Sequence, residues 1–374
     1  MEPPEDLNAL VDELAAQAER TATTSDRLLD LLRRLAVSGA SDLFLVAGVP
    51  ATVRVAGAVQ PLDGDILDSD AIEGLIRPTL PSHSRQQWQQ QRAANWSVRV
   101  PGIGRFRINL HHERGRTAAA VRLLPTRIPT VAELNLPPEI DALTRVGPGL
   151  VLIGGATGSG KTTTLAALID VINRRDRKHI ITIEDPIEYE HQHHASVVEQ
   201  IEVGTDCVDA ASALREAVRQ APDVIVLGEM RDPDTMRTAV AAAETGHAVF
   251  STLHTTDVAS TVGRISDSFP AERQPTIRQE LAMALTAVLT QRLVPSVRGG
   301  RVPACELLMV GYGARQHIRK NALHHLHQEI TISRKYGSFT LEEQLQRLVR
   351  SGSVSRDEAL GRAQHPEELE GLLA

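Results

Sequence analysis

GATGSGKTTT, residues 155–164, concentrates the residue types that bind phosphate. It fits G-x-x-x-x-G-K-[ST], with Gly155, Gly160, Lys161 and Thr162 at the fixed positions. Glycines at this spacing let consecutive backbone N–H groups converge on phosphate oxygens, and a helix starting at the lysine aims its positive end at them. In this reading Thr157, Gly158, Ser159 and Thr163 complete the cradle. Lys161 reaches the β- and γ-phosphates of ATP, and the Thr162 hydroxyl ligands Mg²⁺.

Other groups at suitable distances could serve the same chemistry. PDVIVLGEMRD (222–232) ends an apolar run in Glu229, where a Walker B carboxylate holds Mg²⁺, in part through water. ITIEDPIEYE (181–190) offers Glu184, Asp185 and Glu188, any of which could polarise an attacking water; the cluster also reads as a plain acidic loop. His254, in ETGHAVFSTLHTTD (244–257), could sense the γ-phosphate, though a lone histidine reads first as a structural hydrogen-bond partner. Arg105, Arg107, Arg114, Arg116 and Arg122 crowd one segment. In a ring such residues can neutralise charge at a neighbour's nucleotide; equally, they are basic residues on outer strand faces. The histidine clusters (His111 and His112; His191, His193 and His194; His324, His325 and His327) lack a full ligand set at helical or finger spacing. No stable metal beyond Mg²⁺ is expected from them.

These groups need elements to position them. Apolar GLVLI precedes the loop and TTTLAALIDVI follows it, as strand and helix. HIITIED, DVIVLGE and HAVFSTLH then alternate with helical stretches near 209–219 and 233–245, which predicts a parallel sheet wrapped by helices. Beyond 257 the chain reads as mostly helical. Upstream, RLLDLLRRLAVSGA (27–40) sets leucines on one helical face, with Ser25 as cap and Gly39 as stop. Short β-rich runs fill 41–125 around one helical stretch at 70–92, an α+β domain. The expected organisation is an acidic flexible tail (1–24), an N-terminal domain (25–125), a proline-punctuated linker (126–145) and an α/β ATPase domain (146–374) with helices at its C-terminal end.

At 374 residues two domains are the natural expectation. With only 3% aromatic residues, the cores must be aliphatic. A net charge of −7 speaks against a dedicated nucleic-acid binder. Two distant cysteines suit a reducing compartment. The first twenty residues do not read as a signal peptide and no apolar run is long enough to span a bilayer, so a cytoplasmic location is expected.

Together, IEDPIEYEH, PDVIVLGEMRD, AAETGHAVFSTLHTTD and SDSFPAERQ resemble the secretion-superfamily ATPases, and within them the PilT subfamily of type IV pilus retraction motors. The resemblance runs from about residue 27 to about 355. It implies a PAS-like N-terminal domain and a RecA-like P-loop ATPase domain, assembled as a homo-hexamer that hydrolyses ATP with Mg²⁺. It also implies docking on an inner-membrane pilus platform protein, and paralogous pilus ATPases as possible partners. Glu188 then matches the catalytic base, Glu229 the Walker B acid and His254 the His box, while Arg107, Arg114 and Arg122 match nucleotide-contacting or finger arginines. No tetracysteine zinc insert is present, which favours retraction over extension or type II secretion relatives. GARQHIRK (313–320) lies where the retraction signature is expected, with Lys320 replacing a glutamate. That charge reversal keeps an accessory, PilU-like role open beside the motor.

Overall fold

Two separately cored units make up the chain, one reaching to Thr126 and the other running from Arg127 to Ala374. The computed structural model describes residues 26–374; the acidic tail and the Ser25 cap fall outside the described residues.

In the first unit, helix α1 (26–37) buries Leu28, Leu31, Leu32 and Leu35, the face that its leucine spacing marks. Burial of each contributes roughly 2 kcal/mol. The chain then leaves the helix through Gly39 at φ +68°. Strands β1 (Asp42–Leu45), β2 (Pro50–Val55), β3 (Ala58–Ile66), β4 (Ala93–Val100), β5 (Gly104–Glu113) and β6 (Arg116–Leu124) form one antiparallel sheet, in the order β3-β2-β1-β6-β5-β4. The stretch expected as one helix over 70–92 is two, α2 (Ser69–Ile76) and α3 (Ser82–Gln91). Pro78 and Pro81 cannot supply helix-interior N–H groups, and the chain turns between them. Ile72, Leu75 and Ile76 of α2 share a core with Phe106, Ile108 and Leu110 of β5.

The second unit opens with Pro138–Arg145, part of the segment expected as linker. It forms 3-10 turns and puts Ile140 and Leu143 into the same core as Leu165 and Leu168. Strand β7 (Gly149–Gly154) leads into α4 (Lys161–Arg175), followed by β8 (His179–Glu184), β9 (Val197–Glu202), α5 (Ala210–Ala217), β10 (Val224–Leu227), α6 (Pro233–Glu244) and β11 (Ala248–Leu253). After α7 (Val258–Asp267) and α8 (Gln274–Ala284) come two further strands, β12 (Leu285–Pro295) and β13 (Arg301–Met309). Beyond 257 the chain is mostly helical, as expected, but that expectation missed these two strands: β12 lies parallel to β7, and β13 returns antiparallel at the sheet edge. A fully buried apolar strand lacks alternation, so its pattern cannot be told from a buried helix. The tail then is helical: α9 (Tyr312–Arg319), α10 (Leu326–Ile332), α11 (Leu341–Arg350), α12 (Arg356–Arg362) and α13 (Pro366–Leu373).

The seven strands run β13-β12-β7-β11-β10-β8-β9, all parallel except β13. β7, which feeds the phosphate loop, is interior, and Gly154 at its end stands beside Leu253 of β11 and Thr290 of β12. Among the described residues, no helix is long and apolar enough to cross a membrane.

Candidate active site

The carboxyl ends of β7, β8, β10 and β11 emerge side by side, and each delivers one of the candidate groups; this edge is the usual ligand side of a parallel sheet. From β7 comes the loop. A Cβ on Gly155 would stand 2.5 Å from the carbonyl oxygen of Gln291, and one on Gly160 2.8 Å from its Nε2, so the backbone path admits only hydrogen there. Gly160 also takes φ +89° as it caps α4.

Lys161 is 7% exposed, and its Nζ donates to the carbonyl oxygens of Gly155 (2.7 Å) and Ala156 (3.0 Å). Burial pushes its ammonium below the usual lysine range, while Glu229 and Glu188 push the other way. His254, from the end of β11, bridges this cation to an acid. Its Nδ1 lies 3.4 Å from Lys161 Nζ and 3.4 Å from Thr157 Oγ1, and its Nε2 lies 3.0 Å from Glu229 Oε1. Because the ammonium is donor-only, Nδ1 must accept and Nε2–H must donate to Glu229. That assigns the tautomer from the network.

Glu229, one residue past Gly228 at the end of β10, also accepts from Arg231 Nε at 2.9 Å. Arg231 reaches Asp185 as well, at 2.9 Å, which ties the β10 and β8 loops together. Glu184 is engaged structurally: its Oε1 accepts from Thr182 Oγ1 (2.7 Å) and Gln200 Nε2 (3.2 Å), and burial pushes its carboxyl upward. Glu188 remains the member of the acidic cluster whose charge acts on Lys161. Thr163 spends its hydroxyl on Tyr189, 3.0 Å away, and so joins α4 to the acidic segment. Thr162 occupies the first turn of α4, half-buried.

A phosphate group fits these residues. The Ser159 Oγ is buried without a hydrogen-bond partner, and Lys161 donates only to the loop's own carbonyls and His254. A phosphate oxygen answers both. The donor set also suits Mg²⁺, with a threonine hydroxyl and the Glu229 carboxylate both next to Lys161 in chain or in space.

Gln291 was not among the sequence candidates. This β12 side chain, 6% exposed, donates from Nε2 to Ser159 O and accepts at Oε1 from Thr164 Oγ1, both at 2.7 Å. It braces the loop from beneath. The one signal available was a glutamine inside an apolar run, since a buried amide must be hydrogen-bonded.

The three candidate arginines lie on the first unit. Arg122 Nε binds Asp42 Oδ1 at 2.8 Å, and Arg107 stands directly across from Arg122 in register. Arg114 takes φ +50° in the β5–β6 turn, 3.0 Å from Glu113. Within the second unit the loop, Glu188, Glu229 and His254 come together; the arginines belong to the other unit.

Residues 130–366 match the family model described as type II/IV secretion system protein. Over 342 residues the chain is 39% identical to the type IV pilus retraction ATPase PilT of Pseudomonas aeruginosa, spanning 91% of this chain and 99% of that protein. It is 38% identical over 340 residues to the type IV pilus ATPase PilU of the same organism, spanning 91% and 89%. A crystal structure of the pilus retraction motor PilT with bound ADP superposes with a TM-score of 0.82 at 41% identity, covering 90% of this chain and 97% of that one.

Proposed function

The chain belongs to the type II/IV secretion system family, whose members include ATP-hydrolysing motors, and from that membership we propose that it powers type IV pilus retraction. The observation that carries the mechanism is the convergence on Lys161 of His254 and of the charges of Glu229 and Glu188. Lys161 and the loop N–H groups hold the phosphates, and Thr162 and Glu229 hold Mg²⁺, which when bound neutralises charge on the phosphate oxygens. Glu188 orients the attacking water as general base. His254, donating to Glu229, fixes that carboxylate's direction and connects it to the lysine. Arg107, Arg114 and Arg122 act as nucleotide-contacting or finger residues in a hexameric ring. Hydrolysis swings one unit against the other near 126–140, and the ring passes that motion to an inner-membrane platform protein from the cytoplasmic side.

Two experiments test this. Purified Glu188→Gln should bind ATP normally and lose turnover by about 10²–10⁴-fold, the range of a general base; retained turnover removes the base assignment. Deleting the gene should leave surface pili in excess. A strain without pili would instead make the protein an extension motor.

The accessory reading has its own support, since identity to PilU is within one percentage point of identity to PilT (39% against 38%) and Lys320 reverses a signature charge. A deletion strain that still retracts, but with less force, supports the accessory role.

A further inference from the structure

Behind the phosphate loop, the second unit gathers metal-binding side chains around a cavity of about 670 Å³. Its lining includes Ala156, the start of α7, His327 of α10 and His365, the cap residue of α13. The His327 and His365 rings lie 4.2 Å apart, and His327 Nε2 is 3.1 Å from Oε2 of Glu368 in the first turn of α13. One donor atom from each of His327, His365 and Glu368 lies within 4.8 Å of the other two.

Next to them stand two buried carboxyl groups. Glu342 is wholly buried. Its Oε1 accepts the backbone N–H groups of Gln364 and His365, both at 2.9 Å, and stands 3.8 Å from His365 Nδ1. Its Oε2 has no hydrogen-bond partner. Glu306, 3% exposed, faces the same cavity and accepts from Val258 N–H at 3.3 Å. A buried carboxylate oxygen without a partner is costly, and a nearby cation offsets that cost.

We propose that His327, His365 and Glu368 form a binding site for a divalent transition-metal ion, Zn²⁺ in the first place. Two imidazole nitrogens and one carboxylate oxygen are a donor set for Zn²⁺, whereas Mg²⁺ and Ca²⁺ take oxygen. Zinc bonds of about 2.0–2.2 Å require donors roughly 3.3 Å apart; His327 and Glu368 already meet this, and the donor of His365 must close by up to about 1.5 Å. His365 can make that adjustment, since its side chain is 49% exposed. Water takes the fourth position, and Glu342 backs His365 as the outer carboxylate commonly found behind a metal-bound imidazole. The ion pins α13 to α10. The expectation of no metal beyond Mg²⁺ is revised by this proposal: the cluster at His324, His325 and His327 held one ligand, and its partners come from a distant part of the chain.

The test uses the untagged full-length protein, stripped with chelator and kept in MgADP so that the phosphate loop is filled. Zn²⁺ titrated against a chromogenic chelator should bind at one equivalent per protomer, and Co²⁺ should give the visible absorption of a four-coordinate site. His365→Asn and Glu368→Gln should each weaken Zn²⁺ binding by more than about 100-fold, beyond the effect of losing an outer-shell partner, while His324→Asn leaves it unchanged. Wild-type protein that binds no zinc overturns the proposal. So does binding that survives in the triple variant His327→Asn, His365→Asn, Glu368→Gln, or that is lost in His324→Asn. The wild-type Co²⁺ spectrum decides the matter should a variant not fold.

Discussion

At the scale of single residues, the phosphate loop rests on a side chain from outside its own motif. Gln291 holds Ser159 and Thr164 from partners 132 and 127 positions away, so no local pattern could announce it. Lys161, Gly160 and Thr162 were legible because their types at that spacing have one common physical use. Removing two buried hydrogen bonds costs about 1–3 kcal/mol. Gln291→Ala should therefore raise KM for ATP roughly 5- to 100-fold with a smaller change in kcat, measured by steady-state ATPase assay; an unchanged KM would show the brace to be idle. Glu188, by contrast, was separable from Glu184 by the family resemblance but not by spacing, and the structure adds that Glu184 is held by Thr182 and Gln200 while the charge of Glu188 acts on Lys161.

At the scale of elements, the β12–β13 hairpin and its supports decide how the sheet edge is closed. β8, β10 and β11 were readable from short apolar runs between helices. β12 was not, since LTAVLTQRLVP is mostly buried and its burial does not alternate. β3 escaped for the opposite reason: nearly every residue is exposed, and no face is apolar. Phe339 seals the hairpin, exchanging backbone hydrogen bonds with Leu307 at 2.9 and 3.0 Å. Phe339→Ala should cost about 3–5 kcal/mol, seen as a fall in denaturant midpoint; a shift under 1 kcal/mol, on the order of an ordinary surface change, would place that ring outside the core. Glu306 sits on β13, and burial pushes its carboxyl up to about 7; Glu342 and Asp257 push the same way, the Val258 N–H and His327 oppose. From its ordinary 4.5 up to about 7 the folded chain binds more protons than the unfolded one. Stability then falls as pH rises through that window, by on the order of 3 kcal/mol. In chelator-treated protein Glu306→Gln should abolish that slope and raise Tm at high pH. A wild-type Tm flat across the window would contradict it.

At the scale of the whole molecule, the two units carry complementary halves of the proposed chemistry: phosphate loop, base and Walker acid in one, arginines in the other. In a ring, an arginine finger reaches a neighbour's nucleotide. Arg107→Ala and Glu188→Gln should each be inactive alone, yet mixing the two should recover measurable ATPase activity, because some boundaries then pair an intact arginine with an intact glutamate. No recovery at any ratio would confine Arg107 to its own subunit or to the sheet. The cavity behind the loop has a further consequence. Ala156 of the phosphate loop and His365 of the tail both line it. Thermodynamic linkage makes any coupling through that shared space reciprocal: a ligand at the tail that alters ATP affinity by some factor has its own affinity altered by the same factor when ATP binds. Coupling of that kind would make the affinity of the tail site a readout of the nucleotide state, open to measurement without touching the nucleotide.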